Sequence, residues 1–374
     1  AADNVRFLTS LGLEVTGQSN ESATFRIPTF RVDLKRETDL IEEVARLYGV
    51  DQIPATPPRG ALGTNAFDAV CDQISEARRL LAALGLYEAQ GQTLVGKTEC
   101  RGSGAEWIAL ANPLSAEMDL LRPSLLPGLL AILRHNLSRK NADVALFEIG
   151  RVFRQVAGQP REEWRLGIAL TGQRHVPFWS GGERDAKFDV FDLKGLVEEF
   201  LEQFGLRGVV YARRAESTEL FLESATVSLG GRVALGEMGL VLPTLARGYG
   251  LRDPVLLAEL SLGELLARRN AAKGFRPLPA FPSVRRDVAM FLPEAVTHEA
   301  VLAVVKQARP ANLESVELFD VFRGHNVPAG QKSVAYAFTY RDAGRTLTDA
   351  EVNAEHEKVL NQLKVQLQVT VRGL

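Results

Sequence analysis

Cysteine and histidine are scarce in this chain. Its 374 residues hold two cysteines, Cys71 and Cys100, and five histidines, His135, His175, His298, His325 and His356. Neither cysteine has a CxxC partner or a neighbouring histidine, which excludes a disulfide framework or zinc motif and fits reduced thiols in a cytoplasmic protein. The histidines lack metal-ligand spacing, and no GxSxG motif accompanies them, so zinc and serine hydrolase chemistry find no support. Excess charge is also missing. With 44 Lys+Arg against 46 Asp+Glu the net charge is -2, so a nucleic acid must be met by a local set of basic residues, not by a chain-wide field. Long apolar runs are absent. The longest, Pro123 to Leu133, is interrupted by Pro127 and Gly128 and flanked by Arg122 and Arg134, which excludes a membrane-spanning helix and predicts a soluble, cytoplasmic protein. Nor is there a phosphate-cradling loop. In Gly324 to Ser333, GHNVPAGQKS, Gln331 separates glycine from lysine and the glycines stand one residue too far apart.

What is present begins with carboxylates. The stretch Arg31 to Gly49, RVDLKRETDLIEEVARLYG, gathers Asp33, Asp39, Glu42 and Glu43. Leu40, Val44, Leu47 and Tyr48 fall at helical spacing, with Gly49 as a C-terminal stop and Asp33 on the extended run before the helix. Asp39, Glu42 and Glu43 then share a face near the positive helix end. Such a set suits magnesium, a hard cation that takes oxygen ligands. The same residues also fit a plain helix start, with Asp39 as N-cap, Glu42 three positions on, and Arg46 pairing with either glutamate.

A composition of 46% hydrophobic and 24% charged residues over this length suffices for two or three domains. Ala1 to Ile27 reads as the second half of a small domain, so the chain is expected to be part of a longer protein. A proline-rich stretch, Ile53 to Pro58, marks a boundary, and a new domain is expected near Gly63. Phe67 to Leu84 has a helical pattern. Ser124 is expected to cap a helix through Leu137, and Val144 to Phe153 to form a buried strand entering a hairpin. Leu193, Leu196, Val197, Phe200, Leu201 and Phe204 form an amphipathic stripe closed by Gly205. Gly230 and Gly231 read as a hairpin turn. A linker, Arg268 to Pro279, ends this α+β domain on an antiparallel sheet. Beyond it come strand Arg286 to Leu292, a helix on Val301, Val304, Val305 and Ala308, and strands Leu313 to Phe322 and Ser333 to Tyr340. A helix opened by a Thr348/Glu351 capping box, with the stripe Val352, His356, Val359, Leu360 and Leu363, leads to strand Val369 to Arg372. This order, βαββαβ, is the ferredoxin-like split.

Three blocks carry a family resemblance: RVDLKRETDLIEEVARLYGVDQIP; NPLSAEMDLLRPSLLPGLL with LFEIGRVF and FDVFDLKGLVE; and FPSVRRDVAMFL with LFDVFRG and GRTLTDAEV. Together they resemble the β subunit of bacterial phenylalanine-tRNA ligase, from within its B5 domain to its C-terminus. The resemblance implies a partial B5 domain over 1–58 in which Asp33, Asp39, Glu42 and Glu43 bind Mg2+. It further implies a class II synthetase-like domain over 59–275 and a ferredoxin-fold anticodon-binding domain over 280–374. The middle domain lacks catalytic motifs: Phe153 and Arg154 are followed by Gln155 and Val156, not by the glutamate of a motif 2 Phe-Arg-x-Glu, and no glycine-rich motif 3 lies between Leu256 and Arg269. No catalytic residue is therefore expected here.

By the same resemblance the α subunit binds ATP and phenylalanine and charges tRNA(Phe) within an α2β2 heterotetramer. This chain would supply assembly and anticodon binding, and the family's upstream tRNA-binding and editing modules lie outside these residues. Unstacked anticodon bases invite arginine and aromatic planes. Arg323, Lys332, Arg341 and Arg345, at strand or loop ends, are the candidate RNA contacts, and solvated surface charge is the plain reading of each. The Tyr336, Phe338 and Tyr340 stripe is expected to face the helices. The alternative is an autonomous RNA-binding or scaffold protein built from the same domains with no synthetase partner.

Overall fold

Leu8, Leu13 and Leu34 form a small buried cluster with Leu11, Phe25, Ile27, Leu40 and Val44 packed against it. These residues come from helix α1 (Ala2–Ser10), the hairpin β1 (Glu14–Gln18) and β2 (Ala23–Arg26), helix α2 (Glu37–Tyr48) and the turns between them. The computed structural model describes residues 2–372 except 58–59, 61–64, 99, 101–106, 177, 182–183 and 271–276. It divides into two units, Ala1–Ala271 and Ala272–Leu374. The domain start expected near Gly63, the end of the proline-rich stretch and much of the linker expected over Arg268 to Pro279 lie outside the described residues.

The first unit continues with helix α3 (Ala66–Ala83), the short strands β3 (Tyr87–Glu88), β4 (Leu94–Val95), β5 (Ile108–Ala109) and β6 (Leu120–Leu121), and helix α4 (Leu126–Ser138). Then come the long hairpin β7 (Val144–Val156) and β8 (Gln159–Thr171), helix α5 (Val190–Gln203), and strands β9 (Val209–Arg213), β10 (Phe221–Leu229) and β11 (Val233–Val241). Helix α6 (Pro243–Gly248), strand β12 (Val255–Ser261) and helix α7 (Leu262–Arg268) complete it. Seven strands form one sheet in the order β3-β7-β8-β12-β11-β10-β9. Every pairing is antiparallel except that of β3 with β7.

Both faces of this sheet are covered. Phe147, Ile149, Leu166 and Ile168 share a cluster with Ile74, Ala77 and Leu81 of α3 and with Leu193, Val197, Phe200 and Leu201 of α5. Val144, Leu146 and Ala169 share another with Leu126, Leu129, Leu130 and Leu133 of α4. Burial on both faces explains why Val144 to Phe147 reads as an unbroken apolar run and not as an alternation. The Gly230–Gly231 turn is present: both glycines have positive φ, 58° and 70°, and the Arg232 amide donates to the Leu229 carbonyl at 3.2 Å. The amphipathic stripe of α5 is buried as expected, and a capping box of Asp189 with Asp192 opens the helix.

The second unit consists of β13 (Val284–Pro293), α8 (His298–Ala308), β14 (Leu313–Phe322), β15 (Gln331–Tyr340), α9 (Asp349–Leu367) and β16 (Thr370–Val371). The sheet order β14-β15-β13-β16, with antiparallel pairings throughout, is the ferredoxin-like arrangement. Thr348 and Glu351 form the expected capping box. Val288, Met290, Val334, Tyr336, Phe338 and Tyr340 face the apolar sides of α8 and α9 in one core. Two histidines close that core: His298 Nδ1 lies 2.9 Å from the Tyr336 hydroxyl, and His356 Nδ1 lies 3.0 Å from that of Tyr340. Among the described residues no helix is long and apolar enough to cross a membrane.

Candidate functional site

The acidic segment folds into a self-neutralised arrangement. Helix α2 starts at Glu37 with Arg36 as N-cap, so Asp39 occupies the third helical position and is not the cap that sequence spacing offered. Its Oδ2 accepts the backbone amides of Lys35 (2.7 Å) and Arg36 (2.8 Å), and these two bonds hold its carboxyl below the usual range. Arg31 lies between Asp33 and Glu43, with Nη2 donating to Asp33 Oδ2 at 2.7 Å and to Glu43 Oε1 at 2.6 Å. Arg46 donates to the other oxygen of Glu43 at 2.5 Å. Arg46 and then Arg31 depress the Glu43 carboxyl, and Arg31 depresses that of Asp33. Glu42 remains exposed. Asp33 and Glu43 are thus brought together, but around a guanidinium. Among the described residues no three His, Cys, Asp or Glu side chains converge as a metal cage would require. As placed, the four acids do not fit a magnesium ion.

In the seven-stranded sheet, the arginine that could hold a phosphate is taken up by the protein itself. Arg154 donates through Nε to the Pro123 carbonyl at 3.0 Å, and its Nη2 lies 3.8 Å from Glu259 Oε2. The other oxygen of this buried carboxylate accepts the Ser124 hydroxyl (2.8 Å) and the Leu125 amide (2.7 Å). Helix α4 is therefore capped from β12, 134 residues away, with Leu125 as N-cap in place of the expected Ser124. Ser124 supports it by accepting the Leu126 amide at 3.1 Å.

On the ferredoxin-like unit, the four candidate RNA contacts fall at the two ends of β15, a strand of ten residues that spans roughly 30 Å. At one end Arg323 donates to Glu294 Oε1 through Nε (3.0 Å) and Nη2 (2.7 Å), and Lys332 donates to the Glu294 carbonyl at 2.9 Å. At the other, Arg341 donates to Glu314 (2.9 Å) and the Phe281 carbonyl (3.2 Å). Nearby, Arg345 donates to both oxygens of Glu351 at 3.0 and 2.6 Å. The guanidiniums of Arg323 and Arg345 are stabilised by these carboxylates, and Glu351 is lowered to about 2 by Arg345 and by the amide and hydroxyl of Thr348. The structure brings Arg323 and Lys332 together but separates them from Arg341 and Arg345.

Three family profiles match this chain in succession: the tRNA synthetase B5 domain over residues 1–50, the phenylalanyl tRNA synthetase beta chain CLM domain over 53–262, and the ferredoxin-fold anticodon binding domain over 279–372. The second match alone covers more than half of the chain. The chain belongs to the phenylalanyl-tRNA synthetase β-chain family. Curated relatives agree. The phenylalanine-tRNA ligase β subunit of Lactiplantibacillus plantarum is 37% identical over an alignment of 361 positions that covers 95% of this chain and 44% of that protein. Its counterpart in Anaeromyxobacter dehalogenans is 37% identical over an alignment of 381 positions that covers 99% of this chain and 47% of that protein. This chain thus spans less than half the length of these relatives. Among solved structures, the pyrrolysyl-tRNA synthetase of Desulfitobacterium hafniense overlaps 53% of this chain and 68% of its own at 19% identity, with a TM-score of 0.42.

In this β-chain family member the sheet face turned away from α8 and α9 carries residues that sequence reasoning passed over. The Arg285 guanidinium lies 5.5 Å from the Phe319 ring centre, and that of Arg372 lies 5.0 Å from Phe291 while donating to the Ser333 hydroxyl at 3.3 Å. Arg285 and Phe291 are out of phase with the buried Val288, Met290 and Leu292, which was a readable signal. Phe319 sits in a register shift between Leu318 and Asp320 and had none.

Proposed function

We propose that this chain is the C-terminal part of a phenylalanine-tRNA ligase β subunit, one that docks an α subunit and grips the anticodon of tRNA(Phe). The observation that carries this reading is the succession of B5, CLM and anticodon-binding profiles along the chain, joined to a ferredoxin-like sheet with arginine–aromatic pairs on its open face. Such pairs offer planes on which unstacked bases can lie. In this reading the domains run over 1–58, 59–275 and 280–374. Adenylation, with its ATP and phenylalanine, belongs to the α subunit of a cytoplasmic α2β2 enzyme. The self-engaged Arg154 and Glu259 support a silent role for the middle domain.

Asp33, Asp39, Glu42 and Glu43 are the proposed magnesium residues, and binding there requires Arg31 to give up Glu43. Arg323, Lys332, Arg341 and Arg345 are proposed as backbone contacts flanking the open face. Each would exchange a protein acceptor for phosphate. The deciding experiment measures phenylalanine charging of tRNA(Phe) by the cognate α subunit with and without this chain, alongside a sizing run. A complex with altered charging supports the reading. A chain that stays apart from the α subunit in the presence of magnesium, yet binds isolated tRNA, would favour the autonomous RNA binder instead.

A further inference from the structure

Val144 of β7 pairs with Thr171 of β8, and Thr171 with Val255 of β12, so β7 and β12 start level with each other at one end of the seven-stranded sheet. The two starts are two strand spacings apart, about 10 Å. Leu240 pairs with Leu256, so β11 ends at the same level. Both starts are reached through acid-free runs: Leu126 to Ala142 ahead of β7 and Met238 to Arg252 ahead of β12 contain no Asp or Glu. Those runs bring Arg139 and Lys140 on one side and Arg247 and Arg252 on the other to this end of the sheet, all exposed.

These four cations lack countercharges. Arg139 contacts His135, through Nδ1 at 3.0 Å and the carbonyl at 3.3 Å, and among the described residues Lys140, Arg247 and Arg252 have no side-chain partner. The acids of the adjoining segments are engaged: Asp143 accepts the Gln173 amide at 2.7 Å, Asp192 holds Arg174 at 2.9 Å, and Asp253 holds Lys187. Glu219, ahead of β10, stands one strand further out. Surface arginines elsewhere, such as Arg323 and Arg345, sit on carboxylates.

The segment that follows β8 leaves from the same end and is pinned there. The Arg174 amide donates to the Ala186 carbonyl at 2.8 Å, the Phe188 amide donates to the Gly172 carbonyl at 3.1 Å, and Lys187 reaches Asp253 ahead of β12. Trp179, on this segment, is 93% exposed. Uncompensated cations beside a bare indole suit a single strand of nucleic acid, whose phosphates meet the cations and whose unstacked base lies on the ring. A membrane surface fits less well, because α4, the helix that leads to Arg139 and Lys140, turns its apolar stripe into the core.

We infer that this end of the sheet binds a single-stranded RNA segment, with Arg139, Lys140, Arg247 and Arg252 on its phosphates and Trp179 under one base. The inference adds an RNA contact in the first unit to the tRNA reading above and stands without it.

The three tryptophans, Trp107, Trp164 and Trp179, all precede the second unit, so indole emission reports on the first unit alone. Titrating the full chain with an unstructured RNA of about ten nucleotides should quench that emission saturably. Trp179→Ala should remove most of the quench. Lys140→Glu combined with Arg252→Glu should move the midpoint roughly tenfold upward and lower the slope of log affinity against log salt by about 1–2, with circular dichroism unchanged. Either variant decides the matter if the other does not fold. RNA that binds by anisotropy without quenching, or quenching that the variants retain, overturns the inference and leaves the anticodon reading standing. Absence of any RNA binding, or a response to phosphatidylserine–phosphatidylcholine vesicles in place of RNA, overturns it as well.

Discussion

Arg31 donates to Glu43 at 2.6 Å across twelve residues of sequence, and the same nitrogen holds Asp33 at 2.7 Å. A guanidinium in that position competes with any cation for the same oxygens. Arg31→Gln should therefore raise magnesium affinity several-fold over the parent chain in a calorimetric titration. Adding Asp33→Asn and Glu43→Gln should abolish the gain. If Arg31→Gln titrates like the parent, these acids are not the metal ligands.

Glu351 links the Thr348 cap to Arg345, and its pKa is lowered to about 2. A depressed carboxylate contributes stability that is present above its unfolded value, about 4.3, and is lost as pH falls towards the folded value. Stability of the ferredoxin-like unit should accordingly decline between about pH 4.5 and pH 2. Glu351→Gln should flatten that part of the curve in acid titrations followed by circular dichroism. A variant with the parent's acid profile would contradict the assignment.

Glu259 satisfies the Leu125 amide and the Ser124 hydroxyl from strand β12, 134 residues away in sequence. Glu259→Ala strips both donors of their acceptor inside a buried site. It should cost about 2–4 kcal/mol in urea unfolding. Glu264→Ala, at an exposed i,i+4 pair with Arg268, should stay within about 0.5 kcal/mol.

Phe319 is half-exposed beneath Arg285 on the open sheet face. Phe319→Ala and Phe291→Ala should each weaken binding of a tRNA(Phe) anticodon stem-loop by roughly tenfold, given about 1–3 kcal/mol per stacked base. Fluorescence anisotropy at fixed salt is the readout. Arg323→Ala and Lys332→Ala should instead weaken binding more modestly and lower its salt dependence. Equal affinity in both phenylalanine variants would move the RNA contact off this face.

Acidic oxygens can be counted from sequence, but whether a cation or an arginine fills the space between them depends on where the chain brings Arg31. Ser124 illustrates the same limit. A serine before an apolar run is a sound cap signal, yet Glu259 arrives from β12 and shifts the N-cap to Leu125. The RNA candidates Arg323, Lys332, Arg341 and Arg345 are cations at strand or loop ends. Register then put Arg323 with Lys332 at one end of β15 and Arg341 with Arg345 at the other, roughly 30 Å apart, and spread Arg285, Phe319 and Phe291 along the open face between them.

Features that depend on neighbours three or four positions away, or on simple alternation, are legible in the order of residues alone. The α5 stripe, the Thr348/Glu351 cap, the glycine turn at 230 and 231, and the βαββαβ order all belong to that class, as did the family resemblance, which rests on local blocks. Tertiary structure alone decided the partners of charged groups. Arg31 with Glu43, Glu259 with Leu125, and Arg122 with Glu148 each join distant segments. A charge takes the nearest countercharge or polar group that the folded chain supplies, and local spacing carries no record of that distance.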